Sequence, residues 1–247
     1  MKNATTFGRQ AAIYANGRPG YPVTLYEWIA ENSSRRELVW DVGTGSGQAA
    51  RALTPHFDRV HATDVSDEQI AQAKFHPQIS YKAAPAHLSG LSDGAADAVC
   101  AATSVHWFAD RAFWAEVSRA TRKGALFCAW TYQLPKTGAA VHNAFLDPVF
   151  NLIDPYWADG NRICMAGYSA ENLNCPFSVI KTPEFDAGGI WNAQQLAAFA
   201  ESWSAHFRAR ADGMAEELDE LTQNFLTDFN GKDIAFEMPI SVLAARI

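Results

Sequence analysis

The sequence predicts an α/β domain in which a mostly parallel sheet is covered by helices on both faces. Three observations carry that prediction. From Leu38 to Tyr132, short apolar runs that read as strands alternate with segments that read as helices. The first two of those runs each close on an acid, Asp41 and Asp64. Between the acids, Gly43, Gly45 and Gly47 stand at every second position of the stretch LVWDVGTGSGQAA, Leu38 to Ala50. A buried strand, a tight turn and a helix start in that order form a crook lined by unpaired N–H groups, and glycine there lets a polar ligand approach the backbone.

Taken in order, residues 7–22 (FGRQAAIYANGRPGYP) are punctuated by Gly, Pro and Arg and read as a surface arm or a flap over a site. Pro22 suits the first turn of a helix from about Val23 to Glu31. The glycine turn leads into a helix that ends near Thr54 and Pro55, because proline disfavours helix in the residue before it. Arg59 to Asp64 reads as the second strand, and Ser66 with Gln69 as a capping box for a helix to Phe75. Ile79 to Ala84 and Ala98 to Ala102 are the third and fourth strands, with Ser92, Asp93 and Gly94 as turn material. Asp110 caps a helix through Thr121, and Gly124 opens a fifth strand, ALFCAWTY.

The alternation then breaks. Residues 133–176 hold a helix around Val141 to Ile153 and a loop rich in Asn, Gly and Pro, which reads as a cap insertion. A strand at about Phe177 to Phe185, helices from Ala193 to Arg210 and Ala215 to Phe229, and a strand at Ile240 to Ala245 follow. The expectation is a single domain over 1–247, with a flap at about 1–22 and insertions at about 133–176 and 191–230.

Composition narrows the function. A formal charge of −7 without a basic run argues against a nucleic-acid partner. No apolar h-region follows Met1 and no stretch is long and uncharged enough to span a bilayer, so a soluble, cytoplasmic protein without a membrane partner is expected. Cys100, Cys128, Cys164 and Cys175 are far apart with no Cys-x-x-Cys pair, and no ligand cluster for a metal is evident. Core packing explains most of the eight tryptophans and fifteen phenylalanines, and a pocket for an organic molecule could use the rest.

Two ligands compete for the crook. Gly45, Gly47 and Ala50 fit the dinucleotide pattern G-x-G-x-x-A, but the first glycine after the strand is Gly43, and from there the third position falls on Gln48. By contrast, Asp41, Gly43, Gly45 and Gly47 match D-x-G-x-G-x-G in every position, and this turn resembles that of class I S-adenosylmethionine-dependent methyltransferases. Asp64 suits the ribose hydroxyls of either ligand. The R-P-x-Y-P pattern at 18–22, Ala84-Pro85-Ala86 and His106-Trp107-Phe108 extend the resemblance to small-molecule enzymes of the trans-aconitate methyltransferase-like kind, over roughly residues 7–132.

The resemblance implies a Rossmann-like, seven-stranded, mostly parallel sheet with cap insertions after the fifth and sixth strands. It implies S-adenosylmethionine as cofactor, S-adenosylhomocysteine as product, and cofactor contacts from Tyr14, Asp41, Gly43, Thr44, Gly45, Gly47, Asp64, Val65, Pro85, Ala86 and Thr103. Asp41 would serve the ammonium group, and Tyr14 in the flap the methionine portion. One departure is His87, where relatives often carry an acid beside adenine. Ala102-Thr103-Ser104-Val105 also lacks the Asn/Asp-Pro-Pro-aromatic pattern of amino-methylating nucleic-acid enzymes, and no paired-glutamate loop for protein arginine follows.

A lone histidine or tryptophan is commonly structural, but His106 and Trp107 fall just past the fourth strand, at the edge where open α/β sheets bind ligands. The substrate set is Arg18, His106, Trp107, Tyr132 and Trp203, with His106 as the base for an acceptor hydroxyl and Arg18, which the resemblance places in the flap, either facing an acidic acceptor or bracing the flap. The expected reaction is methyl transfer to a small organic acceptor, oxygen ahead of nitrogen or carbon, on a carboxylate or a hydroxyl. Two alternatives stay open: an NAD-dependent oxidoreductase, and a non-catalytic S-adenosylmethionine-binding protein of the same fold.

Overall fold

The computed structural model describes residues 20–247. Its first half runs α1 (Val23–Glu31), β1 (Leu38–Val42), α2 (Gln48–Leu53), β2 (Arg59–Asp64), α3 (Asp67–Ala71), β3 (Ile79–Ala83), β4 (Ala96–Ala102), α4 (Arg111–Ala120) and β5 (Thr121–Tyr132). The second half adds α5 (Asp147–Ile153), α6 (Asp159–Ala166), β6 (Ser178–Ile180), β7 (Phe185–Asp186), β8 (Gly189–Trp191), α7 (Ala193–Glu201), α8 (Ser204–Ala209), α9 (Ala215–Asp228), β9 (Ile234–Phe236) and β10 (Pro239–Arg246).

The main sheet has the order β3-β2-β1-β4-β5-β10-β6, with β7 pairing β10 off that path. Strands β1 to β5 are parallel neighbours, and β10 runs antiparallel to β5 and β6. The expected mostly parallel, Rossmann-like sheet flanked by helices is what the chain adopts, with eight strands in place of the expected seven because β7 adds to β10 beside β6. From β1 the chain winds outward to β3, then returns to the other side of β1 to lay down β4. The strand order thus reverses between β1 and β4, and the crevice beyond their carboxyl ends is where such sheets bind ligands.

Every residue of β1 is buried, Asp41 included, which explains a run without polar alternation. Its side chains alternate between faces. Val39 packs with Leu25 and Ile29 of α1, Leu53 of α2, and Cys100 and Cys128. Trp40 and Val42 pack on the opposite face with Val99, Phe127 and the Phe113, Trp114 and Val117 row of α4. Burial pushes the Cys100 and Cys128 thiols up, so both stay protonated core residues as expected. A third apolar cluster joins residues 132–153 to residues 193–238, with Phe145 stacked on Phe225 at 4.3 Å.

Several expectations need correction. Helix α3 stops at Ala71 and Phe75 stands 89% exposed, although Ser66 Oγ does accept from the Gln69 N–H. Strand β5 starts at Thr121, with Gly124 inside it at φ 78. The strand read at Phe177 to Phe185 is interrupted around Pro183, which cannot donate to a ladder, giving β6 and β7. The helix read from Ala193 to Arg210 breaks at Ser202, whose hydroxyl donates to Phe199 O, and Trp203 is extended. Residues read as loop form α6, which Gly167 ends at φ 84. The antiparallel β8–β9 pair was not expected.

Among the described residues no helix is long and apolar enough to cross a membrane, and no group of three or more His, Cys, Asp or Glu is arranged to hold a metal ion.

Candidate active site

The crevice at the strand reversal is a cavity of about 450 Å³, within the usual range for small-molecule sites. Its floor is the glycine turn. Gly43 and Gly47 have φ of 68 and 81, a region that side chains rarely adopt. A Cβ on Gly43 would also lie 2.6 Å from Ser104 Cβ, and one on Gly47 would fall on the Tyr81 ring. These two glycines therefore serve close packing against the protein's own neighbours, while Gly45 meets nothing nearer than Gln69 Oε1 at 3.7 Å. Clearance for a ligand, expected of all three, is a property of the Gly45 position.

Asp64 ends β2 and fastens the turn. Its carboxylate accepts from Gly45 N at 2.8 Å and from Ser66 N at 2.9 Å, and it still lines the cavity. Burial raises its carboxyl above the ordinary value, and the backbone N–H donors partly offset that. Asp41 is placed differently from expectation. It is fully buried behind the turn and is not on the cavity wall. Thr44 Oγ1 donates to Asp41 Oδ2, while Oδ1 has no hydrogen-bond partner among the described residues. Burial carries its carboxyl up to about 7. Thr44 stands between this acid and the cavity.

The remaining walls come from strand ends. Val65, Ala84, Pro85, Ala86 and His87 line the cavity past β2 and β3. Thr103 follows β4 at φ 48, an outlier for a β-branched residue. Its hydroxyl lies 2.7 Å from the Tyr21 hydroxyl, and the Tyr21 ring stacks on Tyr132 at 4.5 Å. Tyr21 was missed as a site residue; its signal was the tyrosine inside R-P-x-Y-P just before α1. Tyr14 and Arg18 lie outside the described residues.

A second chamber of about 90 Å³ adjoins the first and shares Thr103, Trp107 and Tyr132 with it. His106 and Trp203 line this smaller chamber, so the fold brings His106, Trp107, Tyr132 and Trp203 together from β4, β5 and the segment before α8. Trp157, Asn161, Cys164, Phe199 and Ser204, none of them anticipated, also line it, beside Thr131, Gln133, Leu134 and Met165. His106 Nδ1 is 2.6 Å from the Tyr168 hydroxyl and 3.0 Å from Cys164 Sγ. Burial holds the Tyr168 phenol well above its ordinary value, so it stays protonated, and its backbone N–H donates to Ser241 Oγ on β10 at 2.8 Å. Trp130 and His206 are buried but line neither chamber, and desolvation takes His206 down to about 4.

The larger chamber suits an adenosine bearing a charged tail. It offers the Asp64 carboxylate beside the Gly45 N–H, an apolar Ala84-Pro85-Ala86 wall, and a buried acid oxygen of Asp41 behind the turn that a nearby cation would relieve.

Comparison with known proteins agrees. A family model described as a methyltransferase domain matches residues 40–129. A solved structure from Anaeromyxobacter dehalogenans, named as a type II methyltransferase, is similar at 32% identity and a TM-score of 0.83, over 93% of this chain and 97% of that one. A Dictyostelium discoideum protein named as a methyltransferase is 26% identical over 97% of this chain and 94% of its own length. A Saccharomyces cerevisiae protein named as an S-adenosylmethionine-dependent methyltransferase is 28% identical over 51% of this chain and 47% of its own. With the glycine turn, its two acids and the sheet order in place, the chain belongs to the S-adenosylmethionine-dependent methyltransferases.

Proposed function

We propose that the protein methylates an oxygen of a small organic acceptor in the cytoplasm, with neither nucleic acid nor membrane as substrate. The observation that carries this reading is the junction of the two chambers at Thr103, Trp107 and Tyr132, with the glycine turn on one side and His106 on the other. S-adenosylmethionine supplies an activated methyl group with a neutral leaving group. What falls to the chain is alignment, exclusion of water and handling of one proton.

In this reading Gly43, Thr44 and Gly45 hold the amino-acid portion of the cofactor and Gly47 shapes the turn behind them, with Asp41 acting on its ammonium through the field behind Thr44. Asp64 and Val65 take the ribose, and Pro85 with Ala86 flanks adenine, where His87 replaces the acid of relatives. Thr103 stands at the methyl-bearing end, and Tyr14 of the flap covers it. On the acceptor side, Trp107, Tyr132 and Trp203 form walls, Arg18 braces the flap, and His106 takes the acceptor proton.

The test is calorimetric titration of S-adenosylmethionine, with NADH as the contrast. Tight binding of the first alone, weakened about 10- to 100-fold by Asp64→Ala through lost charge-assisted hydrogen bonds, is the expected result. Selective binding of NADH would refute the reading. Release of S-adenosylhomocysteine with an acceptor separates an enzyme from a binder.

A further inference from the structure

We propose that the acceptor is uncharged, a hydroxyl on a flat apolar skeleton of the phenol class, and that its reacting end enters the smaller chamber. This rests on the methyltransferase reading above and deepens it.

Five residues of the smaller chamber's lining are aromatic: Trp107, Tyr132, Trp157, Phe199 and Trp203. Their flat faces match a ring, and rings bury large apolar area. Among the described residues no lysine or arginine lines either chamber, and the smaller one is lined by no aspartate or glutamate either. Among the described lining, a carboxylate entering it would lose hydration and meet no lysine or arginine, and an ammonium would meet no acid. A neutral hydroxyl meets neither penalty. It also meets neutral polar groups, because Thr131, Gln133, Asn161 and Ser204 share the lining with His106. There an acceptor hydroxyl offers its own proton to His106.

A phenolic hydroxyl needs such a proton acceptor, whereas a carboxylate does not. During transfer the acceptor oxygen forms the new O–CH3 bond and the S–CH3 bond breaks with its electron pair left on sulfur. The hydroxyl proton passes to His106, and from there to solvent as the products leave.

The experiment uses the whole protein with S-adenosylmethionine and a matched set of acceptors: phenols, benzoates and benzylamines of equal bulk, with trans-aconitate as a polyanionic member. Mass spectrometry reads the methylated product, and calorimetry reads cofactor binding separately. The expected result is kcat/KM for phenols about 100-fold or more above benzoates, since a site built for one polar pattern rejects a mismatched one strongly. His106→Gln, which keeps a polar side chain and removes the proton acceptor, should lower phenol kcat about 100-fold with cofactor affinity unchanged. Methylation of benzoate or trans-aconitate as fast as phenols overturns the proposal, the more decisively if Arg18→Ala abolishes it. Cofactor binding with no transfer to any phenol also overturns it, while failure to bind the cofactor refutes the underlying reading instead.

Discussion

Asp41 shows what a side chain can hide from the sequence. Its motif position was legible, but its burial was not, and burial changes its chemistry. With a carboxyl at about 7 against an ordinary 3.8, the folded chain holds a proton between those values that the unfolded chain has released. The unfolded state then binds fewer protons, so this group's contribution to stability falls as pH rises from about 4 to 7 and is level above that. Asp41→Asn removes the titration. Urea midpoints from pH 5 to 8 should show the wild type losing ground to the variant by up to about 1.4 kcal/mol per pH unit below 7, and parallel profiles would refute the assignment. Among the other residues, His106, Trp107, Tyr132 and Trp203 were legible from their places after strands and in the later helices. Trp157, Asn161 and Tyr168 were not, since nothing in their local pattern tells which surface they meet.

The glycine turn and the end of β4 behave as one element. Gly43 is legible as a turn residue, yet its partner Ser104 is set only by the parallel pairing of β1 with β4. Gly43→Ala combines a left-handed backbone with a Cβ 2.6 Å from Ser104 Cβ. A cost of about 2–4 kcal/mol is expected from the two effects together, read as a lowered denaturation midpoint with weaker cofactor binding. A loss under 1 kcal/mol would mean the loop after β4 shifts freely. The same contrast governs the elements at large. Helix α1 and the first strands were readable because a doubly covered sheet imposes continuous apolar runs. The β8–β9 pair and α6 are short and marginal by themselves, and exist because neighbouring parts pack on them.

Across the whole molecule two apolar bodies meet at the chamber junction. The sheet carries the larger chamber, and the cluster holding Phe145, Trp203 and Phe225 carries much of the smaller one. Phe225→Ala removes a fully buried ring stacked on Phe145, at about 3–5 kcal/mol. The expected pattern is a raised acceptor KM with near-normal cofactor affinity, together with faster amide exchange in α5 and α9 than in β1 to β5. Equal loss of both functions would show that the two bodies melt as one.

The antiparallel strand β10 gives this arrangement a history in time. As a chain is synthesised from its amino end, β5 is complete long before β10 arrives to pair with it, and Tyr132, a wall of both chambers, waits for Ile240. Until then β5 is an open edge rich in apolar residues, able to recruit a stray strand. Closing the sheet means spanning the whole intervening cap as a loop, so the slowest contact to form is the one that finishes the pocket. Mutations that loosen the cap or the β10 register should therefore first appear as poor yield of soluble protein, before any fault in catalysis can be measured.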